Sequence, residues 1–364
     1  MAVIVGRPQR PDGDCAPMNL PLLAPHVQLA WRDERRLVLE DPAAPHTHVL
    51  VGNAHAGIVR WLRSCDGTRT LGAVLDAAAH LGIARESAEE LLGTLVQTGL
   101  LTLEAPEQGA TAAWDVDSRS AIRQDLEAIA LAGTNANDAM RRRQEHRISI
   151  EGTSRVAHAL IDVLASAHIG ELSVLARRTS RAAVTLRDVG AFGPTIDDVG
   201  HAPSLAMKRH IDRLVRPLSR THFRPLVIAC DSYDPEDEMQ YQQAGMPYLR
   251  MLVTSRYATI GPLTLPGHTV CWSCIAMHRT DADPDWPSLL AQFEHHRRRS
   301  APVDSAFAIW VASETATHVL RVIDHDDPSP LINTTLHFDR REGVFRKRHW
   351  TVHRECPCQW QEAA

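Results

Sequence analysis

Two close cysteine pairs constrain this chain more than any other feature. Cys271 and Cys274 stand as C-x-x-C in HTVCWSCIAMH, and Cys356 and Cys358 as C-x-C in HRECPCQW. A structural zinc ion takes a closed tetrahedron of thiolates, and two such pairs supply one. The expectation is a four-thiolate structural zinc site that closes the 81 residues between Cys274 and Cys356 and pins the C-terminal tail to the domain body. Four cysteines leave no open position for catalysis by the metal. Independent free thiols are the alternative, and His278 and His353 lie near enough to stand in as ligands.

Cys15, Cys65 and Cys230 are isolated, and seven cysteines in a chain of this size do not suggest a disulfide scaffold. Cys65 falls within a predicted helix and Cys230 at the end of a predicted buried strand, so both read as core residues. A chain of 364 residues exceeds one compact core and divides into two or three domains. The net charge of -5 provides no overall field that would draw nucleic acid. No apolar run approaches the roughly 20 residues that span a bilayer. The opening MAVIVGRPQRPDGD has no basic segment before its short apolar run, so the expectation is a cytoplasmic protein without a signal peptide.

Residues 1–24 read as an irregular, proline-rich arm and 25–104 as a small module. VQLAW (27–31), RRLVLE (35–40) and HTHVLV (46–51) are three short strands with turn residues between them. Three helices follow: 56–65, a second capped by Thr70, and a third over 87–99 with Leu91, Leu92, Leu95 and Val96 as its apolar stripe. LLTLE (100–104) closes the module. This order predicts a winged helix-turn-helix-like domain. The segment SAEELLGTLVQTG carries two acids and no arginine or lysine, which argues against DNA recognition. The open edge of such a sheet can instead accept an extended peptide as an added strand.

Residues 105–145 read as a linker followed by a helix, with the basic run Arg141–Arg143 as a solvated face. From 146 to 364 the pattern is α/β. HRISIEG, ELSVLA, RPLVIACD and YLRMLVTS are strands, and 154–167 is an amphipathic helix. The strand–helix–strand order over 147–176 fits a doubly wound sheet.

The stretch IGPLTLPGHTVCWSCIAMHRTDADPDW (260–286) resembles the first zinc knuckle of the E1/ThiF-like group, which includes the ubiquitin-activating and thiamine-biosynthesis adenylyltransferases. Its most specific parts are Gly261-Pro262, Pro266-Gly267, the two cysteines and 278–281. More narrowly it looks like the branch that serves thiazole/oxazole-modified ribosomal peptides (RiPP biosynthesis, including antibiotics), and the resemblance covers roughly residues 25–360. It implies an N-terminal PqqD-like peptide recognition element that binds the leader of a precursor peptide. The implied contacts are His48, Val49, Leu50 and Val51 on the edge strand and Glu90, Leu91, Thr94 and Leu95 on the third helix. It also implies a separate YcaO-type cyclodehydratase as partner, which forms azolines and azoles, and a homodimer built on the α/β domain. The last knuckle departs from the family in having one residue between its cysteines where two are usual.

Adenylating relatives bind ATP at a glycine-rich turn after the first strand. Here Gly152 remains, while Ser154 and Ala157 occupy the other two glycine positions. Ala176, Arg177 and Arg178 stand where an acid would hold the ribose, and Asp231 matches one acidic position of the family. The expectation is that ATP binds weakly or not at all. The favoured function is a non-catalytic partner that presents a leader peptide to the cyclodehydratase, with no catalytic residue of its own. The alternative is a divergent ATP-dependent enzyme that adenylates a peptide.

Overall fold

The computed structural model describes residues 20–44, 48–103, 116–175, 183–214, 223–230, 235–296, 301–325 and 329–358. Most of the expected N-terminal arm, the linker segment 104–115, Ala176–Arg178 and Asp231 lie outside them. The chain forms two compact units divided between Met140 and Arg141.

The first unit contains β1 (Leu22–Leu23), β2 (Gln28–Asp33), β3 (Arg36–Glu40), β4 (His48–Gly52), α1 (Ala56–Arg63), α2 (Leu71–His80), α3 (Arg85–Gln97), β5 (Leu101–Thr102) and α4 (Val116–Leu131), and α5 (Ala136–Glu145) crosses the division. Strands β2, β3 and β4 form an antiparallel sheet in that order, so β4 is an edge. The alternation along β3 places Leu37 and Leu39 on the buried face, opposite Val51 and Val49 in register. That face packs with Trp61, Leu62, Leu75, Leu92 and Leu95 from the three helices. The indole of Trp61 donates to the Val74 carbonyl, so its one polar atom is satisfied within the core. Strand β5 pairs with β1 and does not join the three-stranded sheet. Cys65 is buried in this core, and burial pushes its thiol up to about 12, which makes it unreactive.

The second unit contains β6 (His146–Glu151), α6 (Arg155–Ser166), β7 (Glu171–Leu175), α7 (Pro203–Leu214), β8 (Arg224–Cys230), α8 (Pro235–Gln243), β9 (Tyr248–Val253), β10 (Tyr257–Thr264), α9 (Trp272–Ala282), α10 (Trp286–His296), α11 (Ser305–His325), β11 (Thr334–Asp339) and β12 (Val344–His349). Among the described residues these strands form one sheet in the order β12-β11-β10-β9-β8-β6-β7. The four strands β9, β8, β6 and β7 are parallel, and β10, β11 and β12 continue as an antiparallel meander. One face packs Ile148, Ile150, Ile228, Met251 and Ile260 against α6 and α11. The meander was not foreseen from sequence, nor was the role of the basic run before β6. Arg143 is buried, not solvated: its guanidinium grips the Asp324 carboxylate with two hydrogen bonds of 2.8 and 2.6 Å and also donates to the Ala167 carbonyl. Two groups that could not be buried singly are buried as a bidentate pair.

Candidate functional site

The four knuckle cysteines come together. Cys271 Sγ lies 3.6 Å from both Cys274 Sγ and Cys356 Sγ, and Cys274 Sγ lies 3.5 Å from Cys358 Sγ. All four sulfur atoms fall within 4.8 Å of one another, and all four residues are buried. Zinc–thiolate bonds of about 2.3 Å in a tetrahedron put neighbouring sulfurs about 3.8 Å apart, so the cluster fits a structural zinc ion. The C-x-C spacing of the second pair does not prevent closure. Cys271 also begins α9, where its sulfur accepts the backbone N–H of Cys274.

A buried carboxylate supports this knuckle. Glu238 accepts from the backbone N–H of Trp272 at 2.7 Å, the hydroxyl of Ser273 at 2.9 Å and the phenol of Tyr248 at 2.5 Å. Gln242 donates to the same phenol. The carboxylate thus sits at the positive end of α9, where its charge is favoured. Burial, and then the Glu238 charge, push the Tyr248 phenol well above its usual range, so Tyr248 remains the donor. No signal in the helix segment PEDEMQYQQ singled out Glu238 among its acids.

His278, Asp281 and His353 form a second cluster beside the first. His353 Nε2 pairs with Asp281 at 3.0 Å while its Nδ1 accepts from Glu355 N–H, and His278 Nε2 meets the Thr351 carbonyl at 2.8 Å. These nitrogens are engaged with protein partners, and neither histidine is needed to complete the sulfur shell.

The other site is the switch point at the carboxyl ends of the parallel strands. The chain passes from β6 to β7 on one side and returns to β8 on the other, so the strand order reverses between β6 and β8. Ligands of open α/β sheets bind at this switch point. Gly152 follows β6 there with φ of 114°, and a Cβ on it would stand 2.6 Å from the Cys230 carbonyl oxygen. Only glycine allows the two strand ends to approach this closely. Ser154 was expected to crowd a phosphate. Instead it caps α6, its Oγ turned back to the Ala157 N–H at 3.3 Å, and Ala157 is buried in the core. Glu151 ends β6 with its carboxylate bonded to the Tyr241 phenol at 3.0 Å.

In the first unit, His48 and Leu50 are exposed on the edge strand β4, Val49 is buried and Val51 is half-buried. On α3, Glu90 is exposed, and Leu91 and Thr94 are half-buried. Leu95 is fully enclosed in the core, so its side chain supports α3 from within. Helix α3 packs against α2 and β5. It begins at Arg85, two residues earlier than read from sequence. That guanidinium is taken up by Glu89 and Asp76.

No family model matches the chain, and no curated protein matches it. Solved structures do. E. coli MccB with AMPCPP and MccA superposes with a TM-score of 0.67 and 13% identity over 93% of this chain and 99% of that one. E. coli MccB with ATP gives 0.66 and 13% over the same shares. PaaA gives 0.60 and 14% over 89% of this chain and 98% of its own. Identity this low establishes the fold: ThiF/MoeB-like α/β, with a four-cysteine cluster of the structural-zinc type.

The comparison corrects the sequence reading in several places. The fold matched is that of MccB, described as the Microcin C7 biosynthetic enzyme and solved with ATP, with AMPCPP and with N-formylated MccA. It is not that of a thiazole/oxazole partner protein, and the expected YcaO-type cyclodehydratase partner is withdrawn with that assignment. The expectations of a non-catalytic scaffold and of a site closed to ATP are overturned as well. Their physical basis was Ser154, Ala157 and the acid-free stretch Ala176–Arg178: Ser154 is occupied in capping a helix, Ala157 is buried in the core, and 176–178 lie outside the described residues. Among the described residues, no helix is long and apolar enough to cross a membrane.

Proposed function

We propose that this chain is an ATP-dependent adenylating enzyme that acts on a peptide. The observation that carries this reading is the position of Gly152, at the switch point of a fold shared over nearly its whole length with an enzyme solved with ATP. The Gly152 backbone and the N-terminus of α6 would face the phosphates, where helix N–H groups and the macrodipole favour negative charge. In the proposed step a peptide carboxylate oxygen bonds to the α-phosphorus of ATP. The bond from that phosphorus to the bridging oxygen breaks, and pyrophosphate leaves with the electron pair. The product is an acyl adenylate. Positioning and charge stabilisation would supply most of the catalysis.

The first unit is read as a winged-helix-type peptide recognition module. Its support is the open edge at β4 and an α3 surface of Glu90, Leu91 and Thr94 with Arg85 engaged by acids. Backbone pairing along His48–Gly52 would set direction and register, and side-chain pockets the sequence preference. Cys271, Cys274, Cys356 and Cys358 would hold a structural zinc ion that takes no part in the reaction. The test is ATP–pyrophosphate exchange with short peptides encoded beside the gene. Peptide-dependent exchange is expected. Absence of exchange together with absence of ATP binding by calorimetry would overturn the reading.

A further inference from the structure

Helix α6 starts at the switch point with no acid in its first turn. Ser154 Oγ takes the Ala157 N–H, and the backbone N–H groups of Arg155 and Val156 meet no acceptor among the described residues. Helix α11, which packs against α6, is arranged in the opposite way. Asp304 stands just before α11, accepts the Phe307 N–H at 3.1 Å and is paired with Arg340. One helix start therefore carries its own anion, and the other is left positive.

Arg155 opens α6 and adds a full charge there. Helical side chains lean toward the N-terminus, so this one extends past the start of α6 and not down its length. Its guanidinium donates to the Val303 carbonyl at 3.3 Å, to Ser305 Oγ at 3.4 Å and to the Arg187 carbonyl at 3.2 Å. These contacts tie the start of α6 to the start of α11 and to the chain before α7. They fix where the guanidinium stands, but all three are long and all three acceptors are neutral. Arg155 is half-buried, and no carboxylate meets it among the described residues. A charge drawn partly out of water ordinarily has an opposite charge beside it. The donors left over say what shape that partner has. Nη1 makes two of the bonds, Nη2 one and Nε none. Nε and Nη2 form one edge of the fork, the arrangement that meets two oxygens of a phosphate.

We propose that Arg155 contacts the triphosphate of ATP through this edge and stabilises the charge that gathers on the departing pyrophosphate. The inference rests on the adenylation reading for the identity of the anion. Ser154 commits its hydroxyl to the helix cap, so the side chain that follows it is the one that faces the phosphates. A guanidinium already held by three neutral oxygens loses little freedom when the anion arrives.

The test uses the full chain and calorimetry with magnesium ATP, with adenosine as the probe that lacks phosphate. Arg155→Met removes the charge and should weaken ATP about 10- to 100-fold, the range of charge-assisted hydrogen bonds, while adenosine binds as before. Arg155→Lys returns the charge without the fork and should fall between the two. Ser305→Ala removes one tie and keeps the charge, so ATP affinity should hold. Equal losses for ATP and adenosine in Arg155→Met would make Arg155 a strap between two helix starts and overturn the proposal. Unchanged ATP affinity would do the same. Failure of the adenylation reading gives a different result. A wild-type chain that binds ATP through Arg155 but gives no peptide-dependent ATP–pyrophosphate exchange loses that reaction and keeps this contact. Exchange that survives Arg155→Met with the KM for ATP unaltered keeps the reaction and loses the contact.

Discussion

The carboxylate of Glu238 holds the backbone N–H of Trp272 at 2.7 Å, so a side chain of α8 anchors the first turn of the cysteine knuckle helix. The same carboxylate takes Ser273 and Tyr248. It is buried, and every donor around it would lose its partner together. Glu238→Ala should therefore cost about 2–4 kcal/mol of stability, more than one ordinary hydrogen bond. Chemical denaturation checks this, and a loss below about 1 kcal/mol would show that the network contributes little.

Metal content follows from the sulfur geometry. Purified chain should carry about one zinc ion, and Cys271→Ser should reduce that content and the unfolding midpoint together, since metal binding and folding are coupled. Elemental analysis beside thermal denaturation reads both. Zinc-free protein that unfolds at the same temperature would contradict it.

Gly152 gives a prediction about the switch point. Alanine there would be strained by the positive φ alone, by about 1–3 kcal/mol, and its Cβ would press on the Cys230 carbonyl. Gly152→Ala should lower stability and abolish ATP–pyrophosphate exchange. Gly93→Ala, at an open position inside α3, should leave exchange unchanged and raise stability by about 1 kcal/mol, as expected for an interior helical glycine.

Acid sensitivity should trace to His158. This side chain is 1% exposed on α6, and its Nδ1 meets the Ser154 carbonyl at 3.0 Å. Burial holds it below the ordinary histidine range, with His210 adding to the effect and Asp162 and Asp198 opposing it. A depressed folded value means that the unfolded chain binds the proton more readily. The contribution is complete above about pH 6.5 and is lost as pH falls from there through the lower folded value. His158→Gln should flatten the dependence of the unfolding midpoint on pH between about 7 and 5. An unchanged slope would remove His158 from the account.

For the first unit, Leu50→Asp and Leu91→Asp should weaken peptide binding while circular dichroism stays native, because neither side chain is buried. Leu95→Asp should instead unfold the unit, since it places a charge in the core. Backbone shifts on titration with peptide should fall on residues 48–52, and binding that leaves them untouched would refute strand addition.

The legible parts of this chain were those in which chemistry and spacing coincide. Two close cysteine pairs announce a joint site whatever lies between them, and the period-2 alternation of RRLVLE announces a half-buried strand. The meander β10–β12 was harder to see, because every residue of β12 is exposed and its sequence VFRKRH carries no buried face. Arg143 and Asp324 are 181 residues apart, and nothing local marks either as buried. Ser154 was misjudged for a different reason. A glycine position filled by serine reads as an obstruction unless the helix it begins is seen to use the hydroxyl.

The hairpin β11–β12 is tied to the body by the ladder of β11 on β10 and by the Arg256–Asp339 pair, and the segment beyond β12 by the cysteine cluster and the His353–Asp281 pair. Covalent continuity between Cys274 and Cys356 is therefore not what keeps the C-terminal segment in place. A chain severed once within that stretch should migrate as an intact particle on a native gel and as two fragments only after denaturation. Proteolytic damage there would pass unnoticed by any assay that reads size or shape, so long as the sulfur clasp stays shut.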